Sequence, residues 1–190
     1  MSRIDLVRES PAAKSSRARQ LEAIFDVPRV EMSRVEWHGD FSPDDEPWNV
    51  GLIVGPSGCG KSTILSHAFG AAKELKWGTT GVVDDFAHGL SLDEISNACS
   101  SVGFNTIPAW LRPHSVLSTG ERFRVEMARR ILEESPVVIA DEFTSVVDRQ
   151  VAKIACHAIQ KKVRRDAKKF VAATCHYDVI DWLQPDWIFE

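Results

Sequence analysis

At 190 residues, 44% hydrophobic and 26% charged, the chain is long enough for one full-sized domain with a real core and too short for two comfortable ones. Its formal net charge of −4 neither requires nor excludes a nucleic-acid partner, because the distribution of charge outweighs its sum. No apolar run approaches the roughly 20 residues of a membrane-spanning helix, which argues against direct membrane insertion.

The first stretch, "MSRIDLVRESPAAKSSRARQ", is polar and basic without an apolar segment, so it is no secretory signal; Asp5 and Glu9 also fit a mitochondrial presequence poorly. It is expected to be a polar N-terminal arm over residues 1–20, followed by one domain over 21–190. "PWNVGLIVG" predicts a short buried strand ending in glycine. In "STILSHAFGAAKELKW" the spacing of Ile64, Leu65, Ala68, Ala72 and Leu75 predicts a helix. "TTGVVDDF" is expected as another short strand. "SLDEISNACSSVG" predicts a helix with Ser91 as N-cap and Glu94 closing a capping box. "NTIPAWLRPHSV", broken by Pro108 and Pro113, is expected as loop.

A helix follows over about Glu121 to Glu134, stopped by Pro136. "VVIADE" is an apolar strand ending in two carboxylates. "RQVAKIACHAIQKKVRRDAKK" is a long amphipathic helix whose expected apolar stripe is Val151, Ile154, Ala155, Ala158, Ile159 and Val163. "FVAATCH" and "DWIFE" complete the strands. Alternation of strands and helices implies a mostly parallel sheet covered on both faces. Cys59, Cys99, Cys156 and Cys175 form no C-x-x-C pair; they fit reduced thiols of a cytosolic protein, most of them buried, better than a disulfide framework or a zinc site.

Gly55-Pro56-Ser57-Gly58-Cys59-Gly60-Lys61-Ser62, continuing into Thr63, fits G-x-x-x-x-G-K-[ST] between a strand and a helix. Glycines let the backbone curl so that N–H groups point inward at phosphate oxygens, and the helix N-terminus adds partial positive charge. Lys61 is then placed for the β- and γ-phosphates and Ser62 for Mg²⁺. Asp141, at the carboxyl end of "VVIADE", emerges where ligands bind in open α/β sheets and is a second Mg²⁺ group, acting through water. Glu142 is positioned to orient or deprotonate an attacking water. The bland alternative, a strand ending in solvated carboxylates, loses force beside an intact phosphate loop.

The order GPSGCGKST, LSTGERFRVEMARRI, VVIADEFTSVVD and ATCH resembles the nucleotide-binding domain of the ABC ATPase superfamily, from about Phe25 to the C-terminus. The resemblance implies a P-loop NTPase α/β fold of ABC type, a mostly parallel sheet flanked by helices, that binds and hydrolyses Mg-ATP and dimerises head-to-tail around it. "LSTGE" would be the signature loop, with Ser118 and Gly120 gripping the γ-phosphate held by the partner subunit. "SVVD" resembles the D-loop, which brings Asp148 near the dimer interface. His176 matches the switch histidine that contacts the γ-phosphate, and together with Lys61 and Glu142 makes up the implied catalytic set. Phe25 and Trp37 compete as the aromatic stacked on adenine, and either also suits a core.

Some positions depart from the family pattern. Thr119 and Glu121 replace the usual glycine and glutamine of the signature. No Q-loop glutamine is visible; Asp84 or Asp85 in "VVDDF" is the candidate for its Mg²⁺-facing role, against the alternative of an exposed surface acid. Only 56 positions separate Lys61 from Leu117, so the helical subdomain is reduced, which weakens a membrane-transporter subunit as the reading. The wording resembles small ABC-type ATPases of phage or prophage settings and ATPases fused to a predicted acetyltransferase domain. The sequence ends directly after "DWIFE", which is compatible with a fragment of a longer protein.

Between Arg149 and Lys169 stand Arg149, Lys153, Lys161, Lys162, Arg164, Arg165, Lys168 and Lys169 against one acid, Asp166. Such a helix suits nucleic acid or an acidic partner, as in a repair or genome-maintenance ATPase. A solvated face whose positive charge complements the helix C-terminus is the stronger expectation. The implied partners are a second copy of the chain and an unknown protein or fused domain, in the cytoplasm.

Overall fold

The computed structural model describes residues 2–43 and 45–190. It divides into two compact units, Met1–Asp45 and Glu46–Glu190.

In the first unit, β1 (Ser2–Pro11) and β2 (Met32–Phe41) form an antiparallel pair, joined through α1 (Ser16–Ile24). The expected polar arm is thus largely a ten-residue strand, and the expected boundary after residue 20 falls inside α1. The strand is polar because its pairing is partly electrostatic. Asp5 stands opposite His38 and the two side chains are hydrogen-bonded, while Glu9 stands opposite Arg34 at 3.6 Å. Opposite charges in register across a ladder are favourable. They leave only the brief Ile4–Leu6 alternation, too short to mark a ten-residue strand.

In the second unit, four parallel strands lie in the order β4-β5-β3-β6. In chain order they and their helices are β3 (Val50–Val54), α2 (Lys61–Phe69), α3 (Leu92–Ser101), α4 (Ile107–Trp110), α5 (Thr119–Glu133), β4 (Val137–Ala140), α6 (Arg149–Arg165), β5 (Lys169–Thr174), α7 (Val179–Leu183) and β6 (Trp187–Phe189). All five residues of β3 are buried. That burial is why the strand reads as a continuous apolar run rather than an alternating one. Gly51 lies beside Trp187 in the ladder, and a Cβ there would sit 2.0 Å from the Trp187 ring. The indole folds over the glycine and packs edge-on to Trp48, with ring centres 5.4 Å apart.

Several expectations change. α2 stops at Phe69, because Gly70 adopts φ 93° and turns the chain out of the helix; Ala72 and Leu75 lie beyond it. "VVDD" forms a 3₁₀ turn over Val82–Asp85 rather than a strand. The stretch expected as loop contains α4. α6 buries Ala152, Ala155, Cys156, Ile159 and Val163, leaving Ile154 58% exposed. Its packed face is therefore turned by about a residue and is lined by small side chains that let it lie close to the sheet. The capping box at Ser91 and Glu94 is present as expected.

Asp186 fixes the start of the central strand. Its Oδ2 accepts the Asn49 and Val50 amides at 2.8 and 2.9 Å, and Oδ1 accepts from Arg164 at 2.7 Å. Burial alone would raise its pKa. The two amides and Arg164 outweigh burial and hold the carboxyl below the usual aspartate range. A depressed pKa adds stability above the ordinary aspartate value that disappears as pH falls through the folded-state value. Asp186→Ala is therefore expected to cost about 2 kcal/mol near neutrality. The difference from the parent should shrink below about pH 4 in thermal melts.

Candidate functional site

Between β3 and α2 the chain turns through Gly58 (φ 82°) and Gly60 (φ 98°), the left-handed region in which side-chain-bearing residues are strained. Gly55 is buried, and Pro56, Ser57, Gly58 and Cys59 are exposed. A Cβ on Gly55 would come within 3.0 Å of the Cys59 sulfur, so the loop curls over its own base. Gly60 is the N-cap of α2 and provides no side-chain cap, leaving the first-turn amides for an external acceptor. The Lys61 ammonium lies over this curl, donating to the Pro56 carbonyl at 2.6 Å with Cys59 Sγ at 3.9 Å. The arrangement presents several N–H donors and one flexible cation to an anion of phosphate type.

The fold brings the second element from 79 positions away: Ser62 Oγ donates to Asp141 Oδ1 at 3.0 Å. The same oxygen accepts the Glu142 amide at 2.9 Å. A hydroxyl and a carboxylate in contact beside a phosphate-type loop are the oxygen donors Mg²⁺ takes when phosphates complete its shell. Among the described residues no three His, Cys, Asp or Glu converge as a self-contained metal cage. Asp84 is exposed on the 3₁₀ turn, and Asp85 spends Oδ1 on the Gly78 amide at 2.9 Å. Neither carboxylate makes a hydrogen bond to the Ser62–Asp141 pair.

Glu142 (φ 49°) and Thr144 (φ 65°) occupy left-handed conformations, with Glu142 exposed and Thr144 buried. Such strain costs on the order of 1–3 kcal/mol each and persists only where surroundings impose it. Here Phe143 N donates to Ala173 O at 2.8 Å, and Thr174 Oγ1 donates to Phe143 O at 2.8 Å. Thr174 Oγ1 also accepts the His176 amide at 3.2 Å. One hydroxyl at the end of β5 thus couples the turn bearing Glu142 to the loop bearing His176. Arg149 adds a second tie, with Nε 2.9 Å from Asp178 and Nη1 3.3 Å from Thr144. Thr174 and Asp178 are positioning groups that the sequence did not single out, and Arg149 stood out there only as one cation of the basic stretch. A polar residue closing the buried run "VAAT" is the one signal that pointed to any of them.

Ser118 and Gly120 open α5. Ser118 caps the helix in a reciprocal box with Glu121, and a Cβ on Gly120 would lie 3.6 Å from Val151 of α6. Asp148 is the N-cap of α6, accepting the Gln150 and Val151 amides at 3.0 and 2.9 Å. The two helix starts meet here. Phe25 (69% exposed) and Trp37 both belong to the first unit.

Most of the basic stretch is engaged within the fold. Arg149 holds Asp178, Lys162 and Arg165 hold Asp166, and Arg164 holds Asp186. Lys168 donates to the Ile131 carbonyl, and Lys169 stands 4.5 Å from the centre of the Trp48 ring. Among the described residues Lys153 and Lys161 are the two of the eight without a protein partner. Two cysteines, Cys99 and Cys156, are buried, with thiols pushed by desolvation up to about 12. Cys59 and Cys175 are exposed, fewer buried thiols than expected. No helix among the described residues is long and apolar enough to cross a membrane.

No family model matches the chain. It is 28% identical to the mycobactin import ATP-binding/permease protein IrtB of Mycobacterium bovis, over 77% of this chain and 34% of that protein. It is 29% identical to the ribosome protection protein VmlR of Bacillus subtilis, over 50% of this chain and 21% of that protein. The chain thus spans about a third of the length of IrtB and a fifth of VmlR. Among solved structures, the dimeric structure of a bacterial ABC transporter cassette superposes with a TM-score of 0.57 at 16% identity, covering 76% of this chain and 81% of the other.

Proposed function

We propose, from a fold that is that of the nucleotide-binding cassette of ABC ATPases, that this chain is an ATPase that closes head-to-tail with a second copy around Mg-ATP and drives a partner protein or fused domain. The observation that carries the reading is the 3.0 Å contact of Ser62 with Asp141 at the mouth of the glycine loop. It joins a phosphate cradle to a hard-cation site. The loop amides and Lys61 bind the phosphates, and Ser62 and Asp141 hold Mg²⁺, which would supply positive charge to the triphosphate. Glu142 takes a proton from the attacking water, and His176 contacts the γ-phosphate. Asp84 acts as the Q-loop surrogate and Asp148 as the D-loop acid at the dimer interface.

In this reading Ser118 and Gly120 serve the nucleotide of the facing copy. The test is complementation between two defective proteins. Lys61→Ala and Ser118→Ala are each expected to lose turnover alone. A mixture regains phosphate release, because a mixed dimer assembles one intact site from the Lys61 of one copy and the Ser118 of the other. A mixture as inactive as its components removes the shared site.

Similarity to an import ATP-binding/permease protein favours a second reading, the nucleotide-binding subunit of a membrane transporter. Copurification with membranes supports it. A nucleic-acid-associated role rests on Lys153 and Lys161, and predicts DNA-stimulated turnover that falls steeply with salt. Phage or prophage affiliation, an acetyltransferase-fused relative and a cytoplasmic location complete the proposal.

A further inference from the structure

We propose that Glu121 is a built-in competitor for the donors of the signature loop: its carboxylate occupies the Ser118 amide and hydroxyl, and has to release the hydroxyl before a phosphate from the facing copy is capped. The inference rests on the head-to-tail reading above.

One carboxylate oxygen, Glu121 Oε2, accepts from Ser118 N at 2.9 Å and from Ser118 Oγ at 2.7 Å, while the Glu121 amide donates back to Ser118 Oγ at 3.3 Å. The single hydroxyl proton of Ser118 is therefore given to Glu121, and a lone pair of the same oxygen is taken by the Glu121 amide. A hydroxyl has one proton to donate. To hydrogen-bond a phosphate oxygen it has to turn away from the carboxylate. The Ser118 hydrogen bonds hold the Glu121 carboxyl below its ordinary range, with smaller help from Arg112 and Arg124. The group is thus an anion at neutral pH, standing where a second anion has to arrive. Arg122 does not relieve this, because its guanidinium is spent on the Leu117 and Ser115 carbonyls at 2.9 and 3.0 Å, which fixes the approach to the loop. Glu121 is accordingly a positioning residue that raises the ATP concentration needed for closure.

The molecule contains its own control. Ser91 and Glu94 form a box of nearly the same geometry at the start of α3, with contacts of 2.8, 2.7 and 3.3 Å. Glutamine preserves a capping box while removing the charge, so Glu121→Gln and Glu94→Gln perturb their helices alike. Only the first removes an anion from the signature loop.

The experiment is sedimentation velocity across a Mg-ATP titration, in a Glu142→Gln background, with thermal melts of each protein. Glu121→Gln is expected to lower the ATP concentration for half-dimerisation by about three- to tenfold, the effect of removing one like charge at a partly solvated site. Glu94→Gln leaves that midpoint in place. An unchanged or raised midpoint for Glu121→Gln, or an equal shift for Glu94→Gln, overturns the proposal. Ser118→Ala in the same series separates the levels. If it abolishes dimerisation while Glu121→Gln changes nothing, the head-to-tail reading stands and the competitor role is lost. If dimerisation is indifferent to Ser118→Ala, both fall.

Discussion

Lys61→Ala is expected to reduce ATP affinity by about thirty- to several-thousandfold without unfolding the protein. The side chain contributes nothing to the core: its ammonium bonds the Pro56 carbonyl of its own loop, and the helix it begins is anchored by buried Ile64 and Leu65. What is lost is the cation that lies over the glycine loop. Removing one partner of a desolvated charge pair costs about 2–5 kcal/mol, and each 1.4 kcal/mol is about tenfold in affinity. Fluorescent-nucleotide titration beside a thermal melt checks both halves. Tight binding retained by a folded Lys61→Ala protein would remove the phosphate-loop assignment, and with it the mechanism.

Glu142→Gln tests the chemistry rather than the binding. The substitution keeps size and hydrogen-bonding shape. The backbone at this position is fixed by the Glu142 amide on Asp141 Oδ1 and by the Phe143 contacts to Ala173 and Thr174. The expected result is turnover reduced by about 10²–10⁴-fold, the usual contribution of a positioned general base. ATP affinity is expected to stay near that of the parent, with an ATP-held dimer accumulating in sedimentation. A sample that turns over at the parental rate takes Glu142 out of the mechanism. A slowed enzyme that stays monomeric with Mg-ATP preserves the base and contradicts the dimer.

Much of the site lay open in the sequence because its parts are local. A glycine loop needs only its own residues and the strand and helix on either side. The reciprocal box at Ser91 is likewise contained within four residues. Errors arose where an outcome depends on distant partners. "VVDDF" has a strand's composition, but its residues pack as a 3₁₀ turn whose Val82 amide bonds the Arg112 carbonyl at 3.0 Å. The polar beginning of the chain carries only the short Ile4–Leu6 alternation as a strand signal, and its pairing is legible only beside the charges of β2. The basic stretch suggested a charged face, yet six of its eight cations are engaged by groups that the sequence places elsewhere, Asp178, Asp186, Ile131 and Trp48 among them, or just beyond the helix at Asp166.

By itself, then, the sequence determined the glycine loop between strand and helix, the apolar strand that delivers two carboxylates and the alternation that demands a parallel sheet, since each follows from short-range spacing and hydrophobic period. The tertiary structure alone decided that Ser62 meets Asp141, that Thr174 couples the Glu142 turn to His176, and that Asp186 and Arg164 close the sheet at its start. The physical reason is that these contacts join residues up to 137 positions apart. Only the strand order β4-β5-β3-β6 brings such residues within hydrogen-bond reach.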